Sequence, residues 1–197
     1  MHSLNSAWTH WLVAGVAIIW AFWPEMRIIR SASARQRDAV TPRDPSFRWM
    51  LIAQNIALPG ALVAAYFLPQ FGVGGARETL FWIGIALIVA GSLLRRHCWR
   101  MLGSDFTGAV EVRTDQPVVE RGAYRWVRHP SYSAGLMMMA GIGLALGNWL
   151  SLSLIVLFSI IGYAYRVHVE EAALVRTIGD PYRTYMRRTW RFVPYLV

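Results

Sequence analysis

SYSAGLMMMAGIGLALGNWLSLSLIVLFSIIGYAYRV, residues 131–167, holds two apolar runs, 131–147 and 149–167, that meet at Gly147-Asn148. A helix crossing a bilayer needs about 20 apolar residues at about 1.5 Å rise each. Both runs fall slightly short of that, and only a tight turn separates them, so they are expected to form a helical hairpin. Three further apolar segments lie upstream, at roughly 5–24, 49–68 and 79–99, and each reaches spanning length. Pro59-Gly60 is expected to kink the second helix. Gly84, Gly91, Gly141 and Gly143 are small residues that let helices approach closely in lipid. Met137, Met138 and Met139 read as packing residues.

The composition agrees with a membrane protein. Of 197 residues, 55% are hydrophobic and ten are tryptophan, too apolar for an ordinary soluble domain and suited to aromatic interface belts. Every one of the 20 basic residues is arginine, set against 11 acids, for a formal charge of +9. In a soluble chain that charge points to nucleic acid. Here the arginines flank apolar runs, which favours a membrane surface or an anionic ligand over nucleic acid. Cys98 is the single cysteine, which excludes an intrachain disulfide, a Cys-rich zinc site and a CxxC motif. The N-terminal run lacks a basic n-region and a small-residue cleavage site, and reads as a retained first helix.

Arginine placement sets the expected topology. Six arginines follow helix 1 (27, 30, 35, 37, 43, 48), seven lie between the end of helix 3 and helix 4 (95, 96, 100, 113, 121, 125, 128), and six follow helix 5 (166, 176, 183, 187, 188, 191). Only Arg77 falls on the other side. Five spans therefore place 19 of 20 arginines on one side, which the positive-inside rule makes cytoplasmic, with the N-terminus outside. The fold class expected is an all-α integral membrane protein of five transmembrane helices. Residues 103–130 form a cytoplasmic connector, and 168–197 a polar tail. Asp180 as N-cap and Pro181 near the start predict a short amphipathic helix in that tail, near the membrane surface. The whole chain, 1–197, reads as one domain, with helices 1–3 in 1–102 and the connector, helices 4 and 5 and the tail in 103–197.

Polar groups gather at the cytoplasmic ends of helices 3, 4 and 5. RGAYRWVRHPSY, residues 121–132, leads into helix 4, where His129-Pro130 starts a helix whose first N–H groups are unpaired and attract negative charge. RVHVEEAAL, residues 166–174, ends helix 5. Arg166 and Glu170, four apart, share a face, as do His168 and Glu171 at three apart. Arg166 with Glu170 is either a surface ion pair or a site for the two ends of a zwitterion. Arg121, Arg125 and Arg128 are either topology determinants on lipid phosphates or ligand contacts. No spacing supports a metal site, and no GxSxG, HExxH or P-loop pattern is present.

GAYRWVRHPSY, a short helical hairpin, then R…EE..L….G..Y..Y and a terminal VP resemble the isoprenylcysteine carboxyl methyltransferase family over roughly residues 103–195. The resemblance implies an integral membrane enzyme that uses S-adenosylmethionine, releases S-adenosylhomocysteine and methylates a lipophilic acceptor. It implies that Gln116, Pro117, Val118 and Val119 close over the cofactor, and that Tyr124, His129, Pro130, Ser131, Tyr132 and Glu170 bind it. It assigns Arg166 to the acceptor. The family places glycine where this chain has Ala134, with Gly135 next.

A carboxylate acceptor is already ionised at neutral pH, so alignment in a water-shielded site suffices, and an Arg suits bidentate holding of it. A phospholipid amine or a small thiol needs deprotonation, with Glu171 or His168 as nearest base. Two other classes stay open: an intramembrane NADPH-dependent reductase with a similar hairpin, and a transporter or scaffold with no chemistry.

Overall fold

A computed structural model describes residues 4–36, 45–103 and 117–194. Gln116 lies outside them. The described elements are helical: α1 (Leu4–Gln36), α2 (Pro45–Phe67), α3 (Arg77–Leu102), α4 (Pro130–Ala145), α5 (Trp149–Thr177) and α6 (Asp180–Arg188), with short 3-10 turns at Pro69–Phe71, Gly74–Ala76 and Gly122–Arg125. Among the described residues, β pairing is limited to two isolated bridges, Gly72 with Asn148 and Val127 with Trp190. Among the described residues, three helical stretches are long and apolar enough to cross a membrane, over Ser46–Phe67, Gly74–Leu102 and Trp149–Thr177.

α3 packs mainly on α4, and α2 on α5. Glycine makes the first contact possible. A Cβ on Gly84 would stand 2.5 Å from the Gly141 carbonyl, and one on Gly141 would stand 2.5 Å from the Gly84 carbonyl. The backbones touch, as the small residues led one to expect. Around that contact Ile88, Met138, Met139, Ile142 and Ile155 form a core with Ala17, Ala21 and Ala61. Ala134 is fully buried, so the methyl group at the family's glycine position is accommodated. Gly135 has no such room: a Cβ there would meet the Tyr163 hydroxyl at 2.5 Å.

The ends of the helices differ from the apolar runs. Pro24 and Pro59 both lie inside continuous helices, and α1 runs on to Gln36. α5 has 29 residues, or about 44 Å at 1.5 Å each, well beyond a hydrocarbon core of about 30 Å. Its last turns carry the RVHVEE segment out of the apolar run as one rigid helix. Between α4 and α5, Gly147 takes φ +67° and Asn148 caps α5, accepting from the Ser151 N–H at 3.1 Å. α6 corrects one expectation. Gly179, at φ 75°, is the capping residue, and Asp180 is already in the first turn, where it accepts from Arg183 at 2.9 Å. Gly179 takes a positive φ that costs glycine nothing, and no side chain caps the helix there. α6 is amphipathic as expected, with Tyr182 and Tyr185 buried and Arg183, Arg187 and Arg188 exposed.

Candidate functional site

Neighbouring residues on a helix point about 100° apart, so Glu170 and Glu171 cannot serve one ligand from one direction. α5 separates them. Glu170 is half-buried and accepts from the Tyr132 hydroxyl at 2.7 Å, while Glu171 turns into the protein and is buried.

Tyr132, in the first turn of α4, joins two predicted site residues. Its hydroxyl donates to Glu170 Oε2 and accepts from Arg166 Nε at 3.1 Å. Arg166 and Glu170 are thus bridged by a phenol. Arg166 is 4% exposed, which excludes the simple surface ion pair. Its Nη1 also donates to Ser46 Oγ, 3.0 Å away at the start of α2, and its guanidinium lies 5.8 Å from the Phe47 ring centre. Nothing in the local sequence pointed to Ser46, because the contact spans 120 residues. One turn nearer the middle of α5, Gln54 donates to the Tyr163 hydroxyl at 3.2 Å, and the Tyr163 ring lies 5.3 Å from that of Tyr132.

Glu171 has a different task. Its carboxylate accepts from Arg128 Nε at 3.0 Å, His129 Nε2 at 3.2 Å and Arg191 Nη2 at 2.8 Å. Arg128 also donates to the carbonyls of Met186, at 2.9 Å, and Thr189. The main chain follows the same path: Arg128 N–H to Trp190 O at 2.7 Å, His129 N–H to Arg191 O at 3.1 Å, and Trp190 N–H to Trp126 O at 2.9 Å. Ser133 donates to Phe192 O at 2.5 Å. Arg128 is therefore turned into the protein, where it pins the C-terminal segment beneath the start of α4. His129 begins α4 through its backbone, and its ring is spent on Glu171. Arg191 was recognised in the sequence only as a topology charge.

The remaining predicted residues lie around this cluster. Pro130 is buried and Ser131 half-buried in the first turn of α4. Tyr124 is buried in the Gly122–Arg125 turn, where its carbonyl accepts from Tyr185 Oη at 2.7 Å. Burial pushes the Tyr124 phenol far above the ordinary tyrosine range, and the nearby Cys98 and Glu170 add to this. Pro117 is exposed and Val118 and Val119 half-buried on the approach to that turn. His168 is exposed. Glu171 is committed to Arg128, His129 and Arg191, so neither of the two bases named for an amine or thiol acceptor is presented toward Tyr132.

Residues 79–180, just over half of the chain, match the family model for phospholipid methyltransferases. The chain belongs to the phospholipid methyltransferase family. Within it, relatives carry the name the motifs had pointed to. A protein-S-isoprenylcysteine O-methyltransferase of Dictyostelium discoideum is 30% identical over 139 residues, which are 66% of this chain and 54% of that one. One from Tribolium castaneum is 29% identical over 136 residues, 66% of this chain and 48% of that one. This phospholipid methyltransferase family member thus spans about half the length of those relatives. A solved structure of the eukaryotic intramembrane Ras methyltransferase, isoprenylcysteine carboxyl methyltransferase, shares the fold, with a TM-score of 0.61 and 24% identity over 86% of this chain and 62% of that one. Together with its spanning helices, the family makes this chain an integral membrane protein.

Proposed function

We propose that the protein transfers a methyl group from S-adenosylmethionine to the carboxylate of a lipophilic acceptor, an isoprenylcysteine-like or other isoprenoid acid. The observation that carries this reading is the Tyr132 hydroxyl held between Arg166 and Glu170. It sets an arginine suited to a carboxylate beside a carboxylate suited to a cation, in one hydrogen-bonded unit. Among the described residues, the second oxygen of Glu170 accepts no hydrogen bond, which leaves it for an ammonium or a ribose hydroxyl of the cofactor. Pro117–Val119, Tyr124, His129, Pro130, Ser131 and Tyr132 would line the rest of that pocket, with Gln116 completing it from the connector.

When bound, S-adenosylmethionine supplies a methyl group already activated on a sulfonium. The chain's own part is to orient and to exclude water. Arg166, braced by Ser46 and Tyr132, holds the acceptor carboxylate in a fixed direction. Glu171 keeps the start of α4 closed against the C-terminal segment. A carboxylate requires no general base, and among the described residues Glu171 is engaged by Arg128, His129 and Arg191, which favours a carboxylate over an amine or thiol.

We place this site on the cytoplasmic side of a five-span bundle formed by α1 to α5, the last two as a hairpin, with the N-terminus outside. The arginine distribution supports that orientation, and lipid acceptors would then enter sideways while the soluble cofactor enters from the cytoplasm. The test is incubation of purified protein with labelled S-adenosylmethionine and host membrane extract. A base-labile labelled lipid ester is expected. A labelled amine or thioether would replace the acceptor, and tight NADPH binding without S-adenosylhomocysteine binding would replace the reaction.

A further inference from the structure

Arg95 and Arg96 are adjacent on α3 and face different surroundings. Arg95 turns toward α4, where its Nη1 lies 3.1 Å from the place a Cβ on Gly135 would take. Arg96 turns toward α1. Its guanidinium stacks 3.9 Å from the Trp20 ring centre, and Nη2 donates to the Trp20 carbonyl at 2.6 Å. Its Nε is buried without a partner, and among the described residues no carboxylate pairs with Arg96. A half-buried cation next to apolar surface without an anion is costly.

Trp20 is also one wall of an open apolar groove of about 370 Å³, lined by Leu12, Val13, Val16, Ala17 and Trp20 of α1 and Val89 of α3. Val89 and Arg96 are seven residues apart and share a helix face. The α1 wall from Leu12 to Trp20 is about 12 Å long at 1.5 Å per residue, room for a stretch of one acyl chain. Arg96 stands at the end of the groove that faces the candidate site: its neighbour His97 lies against Gly122, in the turn that carries Tyr124.

We propose that this α1–α3 groove binds one anionic phospholipid, its phosphate on Arg96 and one acyl chain along Leu12–Trp20. A lipid phosphate is the anion that arrives attached to an acyl chain, and it supplies the charge that Arg96 lacks. Bound there, the lipid braces α1 against α3 beside the turn that leads to Tyr124.

The test is lipid retention in native mass spectrometry, with thermal unfolding alongside, on the purified full chain. The probes are phosphatidylglycerol, phosphatidylcholine with the same acyl chains, and water-soluble glycerol phosphate. Wild-type protein should prefer phosphatidylglycerol by about fivefold, the order expected for one arginine and one anionic lipid. Arg96→Gln should erase that preference, while Arg100→Gln, one turn further along α3, should keep it. Val16→Trp, which fills the groove, should lose retention of the anionic lipid, and it serves if Arg96→Gln does not fold. Equal retention of both lipids by wild type overturns the proposal, as does a preference that survives Arg96→Gln. Full competition by glycerol phosphate overturns it in favour of a free-anion site. A dimer that Val16→Trp dissolves overturns it in favour of a second copy.

Discussion

At the Gly147–Asn148 end of the bundle, the buried polar side chains are spent on backbone. Asn148 caps α5 and donates to the carbonyl of Leu68 at 3.0 Å, and Ser151 donates to the carbonyl of Ala61 at 2.7 Å. At the opposite end, side chains meet side chains: Ser46, Arg166, Tyr132 and Glu170 form one chain of contacts, and Arg128, His129 and Arg191 meet on Glu171. Both ends pair most of their buried polar groups, as a membrane protein must. Among the described residues, only the second holds a half-buried carboxylate with capacity to spare. The polar groups of the first end thus serve architecture, while those of the second divide between a clamp on Glu171 and the Arg166–Tyr132–Glu170 unit.

Mutations at the two ends should separate along that line. The largest effect is expected from Glu171→Ala, which leaves Arg128, His129 and Arg191 facing one another around a buried void. Breaking a buried ion cluster costs about 3–5 kcal/mol, read as lost thermal stability and faster proteolysis after Tyr185. If stability is unchanged, the clamp is not what holds the C-terminal segment. Arg166→Ala should lower turnover about 100-fold, the scale of a misplaced reactant, with cofactor affinity preserved in calorimetry. A variant that turns over normally removes Arg166 from the acceptor site.

Smaller effects belong to the architectural end. Asn148→Ala removes a cap and should cost about 1 kcal/mol in thermal unfolding, with cofactor affinity untouched. A loss of cofactor binding in that variant would blur the distinction between the two ends. A further effect is one of pH. Burial raises Tyr124, Tyr182 and Tyr185, all outside the spans, above the ordinary tyrosine value. Above about pH 10 the unfolded chain releases phenolic protons that the fold retains, so the stabilisation is complete below that pH and declines as pH rises. Urea midpoints measured between pH 8 and 11 should fall only in the upper part of that range; a flat profile contradicts it.

Much of this was readable from the chain because the signals were local. Apolar runs marked the helices, Gly84 and Gly141 marked a close approach, and HPSY and RVHVEE marked side chains that the fold brings together around Tyr132. What escaped was long-range or directional. Ser46 reaches Arg166 from 120 residues away, and Arg191 meets Glu171 only because the tail folds back beside Val127. The EE doublet gives two carboxylates but not which one turns inward; that follows from how α5 packs. Asp180 looked like a cap, but Gly179 holds that position and Asp180 lies in the first turn. Apolar runs also end before helices do: the last run stops at 167, whereas α5 continues to Thr177.

The central claim is that Glu170, bridged to Arg166 through Tyr132, binds the methyl donor. Calorimetric titration of S-adenosylhomocysteine into purified wild-type protein and Glu170→Ala tests it most directly. Saturable binding by wild type and at least about 100-fold weaker binding by the variant, the scale of losing charge-assisted hydrogen bonds to a carboxylate, is the predicted result. Equal affinity in the two proteins, both folded, would contradict the account.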